Sequence, residues 1–472
     1  MSAETASPAA VENEFLKVET TGIEAIPDSG RHGRPGELGG MWAGAFTNYA
    51  SLLTGSLLLS LGLGMLDSLL AIVVGAVLAA LVLGLVSVSG PRSGVPQIVF
   101  SRRVFGYRGA YLPGALTLFL AVGWFAVDCV IATDALSQLL GILGAGSSKT
   151  LNAILLLLVV ALSVLVAIYG HRTVVVFERF GAAVFLAFCV VLFALLAPRI
   201  HWQLGATVHG SAHLGAWVLG ASYIFALVAS WFSFAADYSR YLPRDASPGA
   251  VAGWVTAGTA IPTVALGMLG VLLLSIDTRT DLLTTIVNHA PRPLAVGFLL
   301  FVALGMIWAN YFDVYTAGLV TLALDIRMKR WQTALLAGIV GGLLAYYALF
   351  VSSFLAAYQN FLSVTYIWAP AWAAIMLLDL FVLGGDGASA ARRIHGDEAE
   401  SYFRRTGIRW PALVGVLAGT AAAIPFVNST LWSSPLAVHV LQQADLSGLV
   451  SFLVGGLVFT LLRRARPAAA GR

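Results

Sequence analysis

The sequence predicts an all-α integral membrane protein with twelve transmembrane helices, and three observations support this. The 472 residues are 59% hydrophobic and 11% charged, with a mean hydropathy of +0.87, whereas soluble domains contain roughly 25% charged residues. Twelve apolar stretches are long enough to cross a hydrocarbon core, which needs about 20 residues of helix. Barrel strands would be short and alternating, so these stretches are expected to be helices.

Each predicted span is an apolar run bounded by polar or charged residues. Residues 1–40 are polar and lack the apolar core of a signal peptide, so the first span is expected to act as its own insertion signal. In chain order the spans are 41–64, 68–89, 111–143, 151–169, 174–197, 214–236, 250–275, 294–324, 331–355, 361–383, 410–431 and 446–462.

The basic residues predict the orientation. If both termini and every even-numbered connection are cytoplasmic, and Arg179 is counted with the nearby fourth connection, all Lys and Arg lie on that side except Lys149, Arg199, Arg279 and Arg292. Cytoplasmic connections of membrane proteins carry such an excess. We therefore expect a multi-pass protein of the plasma membrane with cytoplasmic termini. The net charge of +4 follows from this distribution and does not indicate a nucleic-acid partner.

The spans fall into two groups of five with two more appended. We predict a cytoplasmic N-terminal segment (1–40), spans 1–5 (41–197), spans 6–10 (214–383), a charged cytoplasmic connection (384–409), spans 11–12 (410–462) and a cytoplasmic tail (463–472). Spans 1 and 6 begin the two groups, and both carry small polar residues at mid-depth: Asn48, Ser51, Thr54 and Gly55, and Gly220, Ser222, Ser230 and Ser233. Close helix packing explains such residues. A discontinuous helix that exposes carbonyls to an ion explains them equally.

Apart from Glu178, which lies beside Arg179 one turn into span 5, four acidic side chains interrupt the apolar runs, namely Asp128, Asp134, Asp313 and Asp379. An ionised carboxylate at bilayer depth costs roughly 2.5 to 3.5 kcal/mol on insertion scales, so it faces a partner, a cavity or a transported species. Asp134 and Asp379 lie near span ends, where they can reach the interface, and we predict structural roles for them. Asp128 and Asp313 lie deeper and indicate a transport pathway.

Span 3 places an aromatic ring beside one of these carboxylates. Trp124 and Asp128 are four residues apart, so a helix sets them on one face about 6 Å from each other. A broad aromatic plane next to a carboxylate suits a flat heterocycle, which stacks on the ring and donates an N–H to the carboxylate. Ordinary packing is the alternative for Trp124 alone, because Trp is common in membrane helices.

Span 8 carries a second polar set. Asn310, Asp313 and Thr316 follow one another at three-residue intervals, which predicts one polar stripe along the helix. Such a stripe either fixes the helix register through a buried network, or lines the permeation site and binds the coupling cation.

Other functional classes find little support in the sequence. Cys129 and Cys189 fall in different spans without a CxxC partner, so neither a disulfide nor a metal site is expected. A membrane-embedded enzyme would need a nucleophile with a base, or a metal cluster, and no His lies within a predicted span. We therefore predict no catalytic residues and no cofactor. A channel would favour a continuous polar file over a single pocket.

Five ordered motifs identify a family resemblance. They are GIEAIPDSGRHGRP (22–35) followed by Trp42, SGVPQIVFSRRVFGYRGAYLPG (93–114), GWFAVD (123–128), ADYSRYLP (236–243) and AN..D.Y (309–315). Together they resemble the purine/cytosine permease branch of the nucleobase:cation symporter-1 family, in consistent order from about Gly22 to Leu383. The resemblance implies a leucine-transporter-type fold, with two inverted five-helix repeats, broken helices 1 and 6, and two extra helices.

The resemblance also implies a function and a site. Family members import a nucleobase or related heterocycle with Na⁺ or H⁺ by alternating access, through a pocket among spans 1, 3, 6 and 8. Trp124 matches the stacking aromatic of span 3, and Asp128 falls where members place an amide. Asn310 and Asp313 match substrate-contacting positions of span 8, and the opened backbone near Asn48 is expected to contribute. The opposing aromatic of span 6 is Trp231, while a different gap selects Val228 or Phe225.

The coupling ion and the exact substrate stay open at this point. Sodium-coupled relatives place two hydroxyls about one turn before the span 8 asparagine, where this chain has Leu304 and Gly305. Carboxylates at Asp128 and Asp313 can instead exchange protons, and we favour H⁺ over Na⁺. The expected cation-coupling residues are Asp313, Asp128, Ser51 and Thr316. A cytosine or purine is the expected substrate, with a hydroxymethylpyrimidine, allantoin or a hydantoin as alternatives, and the protein is expected to function as a monomer.

Overall fold

The computed structural model describes residues 22–146, 148–169, 171–326, 328–383 and 407–465. Most of the predicted N-terminal segment, the connection after residue 383 and the end of the tail lie outside these residues. The described part contains no strand, only an isolated bridge between Asn428 and Ser433. Its α-helices are α1 (Pro35–Phe46), α2 (Tyr49–Ser60), α3 (Met65–Ser87), α4 (Ser89–Ser93), α5 (Gln97–Phe105), α6 (Tyr111–Ile142), α7 (Lys149–Tyr169), α8 (His171–Leu196), α9 (Ser211–Ala229), α10 (Ala235–Ser239), α11 (Pro248–Leu274), α12 (Leu282–His289), α13 (Arg292–Ala323), α14 (Arg330–Phe350), α15 (Phe354–Leu377), α16 (Trp410–Ala423) and α17 (Ser447–Arg464).

These helices confirm the predicted all-α membrane architecture. Within the described residues, ten helices are long and apolar enough to cross a membrane, and two shorter apolar helices, Tyr49–Ser60 and Trp410–Phe426, fall in the two remaining predicted spans. Most ends agree with the predicted spans to within a few residues. Helix α15, which corresponds to the tenth predicted span, begins at Phe354 and not at the predicted residue 361. The sequence prediction started late because polar residues lower the hydropathy of the first turns of this helix. One of them, Asn360, is satisfied by hydrogen bonds from Thr430 and from the backbone N–H of Leu431.

The first and sixth spans are both interrupted. In the first, α1 ends at Phe46 and α2 begins at Tyr49, with Asn48 as the N-cap whose side chain accepts from the Ser51 N–H at 3.1 Å. In the sixth, α9 ends at Ala229, a 3₁₀ turn covers Phe232–Phe234, and α10 begins at Ala235. The discontinuous-helix interpretation is therefore correct for Asn48, Ser51, Ser230 and Ser233, which lie at or beside the breaks.

Close helix packing accounts for Gly55 of the first span. A Cβ on Gly55 would lie 2.0 Å from the Gly267 carbonyl oxygen, and one on Gly270 would lie 1.9 Å from the Leu52 carbonyl oxygen. Real Cβ atoms do not approach that closely, so the backbones of α2 and α11 are in direct contact only because both helices carry glycine there. The two helices are thereby fixed to each other beside the first break.

The connection 90–110 packs under one end of the bundle, which we name the basic end because Arg31, Arg102, Arg103, Arg240 and Arg463 make their contacts there. The N-terminus of α5 is held by α10, since the Asp237 carboxylate accepts from the Gln97 N–H at 2.8 Å. The Gln97 side-chain oxygen in turn accepts from the Ala236 N–H at 3.1 Å. The second half of span 6 is therefore joined to this connection by two hydrogen bonds.

Asp379, predicted to be structural, joins three segments at the basic end. Its buried carboxylate pairs with Arg103 of the connection at 2.8 Å and with Arg463 near the end of α17. These two ion pairs attach α17 to the rest of the bundle.

We expect Asp379→Asn to lower the free energy of unfolding by about 3 kcal/mol, because the substitution leaves two guanidinium groups without their carboxylate. Thermal unfolding of the purified protein measures this change. Asp67→Asn is the matched control, since Asp67 pairs with His213 at 3.1 Å on the surface, and exposed pairs contribute less than about 1 kcal/mol. Equal stability of the two variants would contradict a structural role for Asp379.

Candidate functional site

A cavity lies where the two helix breaks meet α6, α8 and α13. Its volume is about 110 Å³, enough for several waters or one small ring. Its wall includes two acidic residues, Asp128 and Asp313, and ten aromatic residues, namely Trp42, Phe46, Tyr49, Trp124, Phe185, Trp231, Tyr238, Phe301, Trp308 and Phe312. A largely apolar pocket with few polar groups is typical of small-molecule sites.

The structure brings most of the predicted site residues together. Asn48, Ser51, Trp124, Asp128, Trp231 and Asp313 all line this one cavity. Of the three span 6 candidates, Trp231 is among the lining residues, whereas Val228 and Phe225 are not. Gly305, which stands where a sodium-coupled relative carries a hydroxyl, also lines the cavity.

Asn310 and Thr316 are buried but do not line the cavity. The Asn310 amide instead donates to the Ser163 hydroxyl at 3.0 Å and to Cys129 Sγ at 3.4 Å. These bonds connect α13 to α7 and to α6, directly behind Asp128. Of the two interpretations given for the span 8 stripe, the geometry at Asn310 fits a network that fixes the helix register.

The carboxylates of Asp128 and Asp313 are both buried. Asp128 is 6% exposed and Asp313 is 4% exposed, and each lies against the cavity. Among the residues that the structure describes, neither carboxylate accepts a hydrogen bond or forms an ion pair with a basic side chain. A buried carboxylate without a partner is costly, so this pair requires protons, a cation or a ligand with donors.

Trp124 is held in place on both sides. Its indole N–H donates to the Ser230 hydroxyl at 2.9 Å, which ties α6 to the break of span 6. Its ring meets Tyr358 and Phe361 of α15 edge to face, at centroid distances of 6.1 and 5.4 Å. Tyr358 also bonds to the Thr54 hydroxyl at 2.6 Å. Contacts among α2, α6 and α15 therefore close one side of the site.

Trp231 forms the opposite aromatic group. Its ring lies edge to face against Trp42 at 5.8 Å and against Phe46 at 6.1 Å. Trp42 also contacts Tyr238 at 5.6 Å. Trp42 and Tyr238 were not predicted as site residues, although both lie within or beside the family motifs, and only the folded arrangement of the two broken spans shows that they meet.

The break in span 1 is satisfied by the chain itself. The Thr47 hydroxyl donates to the Ala43 carbonyl at 2.6 Å, and the Thr47 N–H donates to the Gly44 carbonyl at 3.0 Å. The Asn48 amide donates to the Ala45 carbonyl at 2.8 Å, and the Ser51 hydroxyl donates to the Phe46 carbonyl at 2.7 Å. Each carbonyl of the last turn of α1 thus already accepts a hydrogen bond.

A metal site has no support in the described part of the chain. No group of three or more His, Cys, Asp or Glu side chains there is close enough to hold a metal ion. Cys129 and Cys189 are buried free thiols. The Asp134 side chain accepts from Gln138 at 3.3 Å and lies away from the cavity lining.

Comparisons with known proteins agree with this architecture. The family model described as "Permease for cytosine/purines, uracil, thiamine, allantoin" matches residues 25–455. The YxlA protein of Bacillus subtilis is 27% identical over 466 residues, which covers 96% of this chain and 97% of YxlA. Purine-cytosine permease fcyB of Emericella nidulans is 24% identical, covering 90% of this chain and 84% of its own.

A solved structure shows the same fold. Mhp1, a nucleobase-cation-symport-1 family transporter in a closed conformation with bromovinylhydantoin bound, superimposes with a TM-score of 0.73. It is 16% identical in sequence, and the match covers 96% of this chain and 98% of Mhp1. The leucine-transporter-type fold that the sequence motifs implied is therefore confirmed.

Proposed function

Because this chain belongs to the family of permeases for cytosine/purines, uracil, thiamine and allantoin, we propose that it imports a nucleobase by cation symport and alternating access. The family consists of transporters, so the chain is a multi-pass membrane transporter and not an enzyme. The observation that carries the proposal is the single cavity at both helix breaks, where Trp124 and Trp231 accompany Asp128 and Asp313.

The two aromatic groups and the two carboxylates have separate roles in this mechanism. Trp124 and Trp231 provide faces for a planar ring, and base stacking on an aromatic is worth about 1 to 3 kcal/mol in nucleic-acid systems. Asp128 and Asp313 accept from the ring edge and exchange the coupling ion. Access alternates when a bundle of helices rocks against a scaffold formed by the other helices around this pocket. The Thr54 to Tyr358 bond is among the contacts that such a motion would break.

Protons are the coupling ion that the site favours. A sodium ion at the first break would compete with the four hydrogen bonds that the chain already makes to carbonyls 43–46. Span 8 offers no hydroxyl at Leu304 or Gly305. The unpartnered carboxylates are the groups left to respond to an ion, and they bind protons.

Purified protein in proteoliposomes tests the ion. We expect an imposed inward proton gradient to drive accumulation of labelled cytosine or adenine, with initial rates unchanged when Na⁺ is replaced by N-methylglucamine. A proton ionophore should abolish the accumulation. Uptake that requires Na⁺ and ignores the proton gradient would contradict proton coupling while leaving the transporter assignment intact.

The same vesicles separate the competing functions. A carrier shows counterflow, in which unlabelled substrate inside accelerates the entry of labelled substrate, whereas a channel does not. Competition by a hydroxymethylpyrimidine, allantoin or a hydantoin tests the alternative substrates. The basic residues favour cytoplasmic termini, and protease protection of tagged termini measures this orientation. We expect a monomer, which light scattering of the purified protein measures.

A further inference from the structure

The connection between α16 and α17 lies at the end of the bundle opposite the basic end. Arg463, near the end of α17, pairs with Asp379 at the basic end. Arg409, directly before α16, donates to the Arg103 carbonyl at 2.6 Å in the same region. The chain therefore crosses to the other end between these points, where α9 and α15 begin. We name residues 427–446 the outer clamp, because they contact both of these helices.

The outer clamp holds α15 through the side chain of Asn360. Its amide oxygen accepts from the Thr430 hydroxyl and from the Leu431 N–H, each at 2.8 Å. The Thr430 hydroxyl also lies 3.4 Å from the Ala356 carbonyl oxygen. These hydrogen bonds are exposed, so water competes for the same groups and each bond contributes only modestly. This contact can break and form again.

The outer clamp holds α9 through its backbone. The Gln442 carbonyl oxygen lies 1.7 Å from the position that a Cβ on Gly215 would occupy, so this close approach requires glycine at residue 215. The Gln442 side-chain oxygen also accepts from the Ser211 hydroxyl at 3.3 Å. Water cannot replace packed backbone as it replaces an exposed hydrogen bond. The contact with α9 is therefore the firmer of the two.

The clamp keeps a strained backbone at this contact. Gln442 and Gln443 have φ angles of 52° and 76°, in the left-handed region that residues other than glycine rarely adopt. Such a conformation persists only where the surroundings determine it. The Asn428 amide donates to the backbone and side-chain oxygens of Gln443, and the buried Asp445 carboxylate accepts from the Asn428 N–H at 3.1 Å. These bonds make the clamp a rigid unit seated on α9.

The part of α15 that the clamp holds is also the part that covers the site. Tyr358 and Phe361 flank Asn360 in the sequence, and both rings contact Trp124. Further along α15, Pro370 lies inside the helix. Proline has no N–H to donate to the preceding turn, so a helix bends most easily there. The first turns of α15 can therefore move separately from the rest of the helix once the clamp releases them.

We propose that the outer clamp restrains the opening of the site at its own end, so that Tyr358 and Phe361 withdraw from Trp124 only after the hydrogen bonds to Asn360 have broken. The contact with α15 is the one that releases, because it is exposed while the contact with α9 is packed backbone. Spans 11 and 12 thereby act on the site without lining it. The inference rests on the proposed function, since it assigns a restraint on the alternating access proposed there.

Distance measurements on the purified protein test the restraint without any substrate. Spin labels attached through Leu214→Cys on α9 and Leu355→Cys on α15 report how far apart the two helices lie. Both positions are exposed, at 64% and 38%. The native thiols of Cys129 and Cys189 are buried, so they do not compete for the label. Double electron–electron resonance then gives the distribution of distances between the two labels.

We expect Thr430→Val to raise the population at longer distance about 2- to 10-fold, the range for loss of one hydrogen bond. Asn360→Ala should raise it further, because both bonds to the amide oxygen are lost. Ser429→Ala is the matched control, since the Ser429 hydroxyl bonds to the Trp432 backbone inside the clamp, and its distribution should stay unchanged. No change in Asn360→Ala overturns the restraint, as does an equal change in the control. Thr430→Val decides if Asn360→Ala fails to fold.

A cross-link tests whether transport requires the release. In a variant that combines Asn360→Cys with Thr430→Cys, a short reducible thiol cross-linker joins α15 to the clamp. We expect cross-linking to abolish counterflow in proteoliposomes and reduction to restore it, while each single-cysteine variant treated in the same way keeps counterflow. Full counterflow in the cross-linked protein overturns the restraint but leaves the proposed function standing. Absence of counterflow in the unsubstituted protein would refute the proposed function, whereas the distance measurement would still decide the restraint.

Discussion

Replacement of Trp124 by alanine is expected to weaken substrate binding by about 10- to 100-fold. The indole lines the cavity between the two helix breaks, and removing it eliminates a stacking surface worth about 1 to 3 kcal/mol. Its hydrogen bond to Ser230 and its contacts with Tyr358 and Phe361 are lost as well. Calorimetry or transport affinity for the best-bound ring measures the change.

Two companion variants separate the stacking surface from the hydrogen bond. Ser230→Ala removes the acceptor of the indole N–H but keeps the ring, so it should weaken binding less than Trp124→Ala. Trp124→Phe keeps an aromatic face and should fall between the two. Affinities are compared per folded molecule, because Trp124 is 4% exposed and its removal opens a void in the core. An unchanged affinity in Trp124→Ala would remove the stacking role.

Replacement of Asp313 by asparagine is expected to abolish concentrative uptake while sparing exchange. A pH difference of one unit is worth about 1.4 kcal/mol, which supports about tenfold accumulation for each proton carried. An amide cannot bind that proton, so accumulation should fall to the equilibrium level. Counterflow needs no net proton movement and should persist.

The ratio of concentrative uptake to counterflow distinguishes a loss of proton coupling from a loss of correctly folded protein. If Asp313 only supports the fold, its asparagine variant should lose accumulation and counterflow in the same proportion. Asp134→Asn should retain both modes, because Asp134 does not line the cavity. Proteoliposomes with and without an imposed proton gradient provide the measurement.

The helices could be predicted from the sequence because lipid imposes a simple rule on each span. A backbone in hydrocarbon must satisfy its own hydrogen bonds, so apolar length alone locates the helices. The breaks were harder to locate, since Asn48 and Gly55 looked alike as interruptions of one apolar run. Only Asn48 has the side chain that caps a new helix, while Gly55 allows α11 to approach.

The site could be predicted in part. Trp124 and Asp128 are four residues apart, which returns the helix to nearly the same face, and both line the cavity. Three-residue steps behave differently, because each falls about 60° short of a full turn. Asn310, Asp313 and Thr316 therefore diverge around α13, and the cavity receives only Asp313. Which of these three residues lines the cavity depends on how α6 and α7 pack against α13. That packing involves contacts between residues far apart in sequence, so the sequence pattern alone could not predict it.

The hydrogen bonds at the first break all join residues within five positions of each other, from Ala43 to Ser51. This segment can therefore acquire its interrupted shape as soon as it leaves the ribosome and enters the bilayer, before later helices exist. The second half of span 6 differs, because Ala236 and Asp237 bond to Gln97, some 140 positions earlier in the chain. The hydrogen bonds named here therefore join each break either to itself or to an earlier part of the chain.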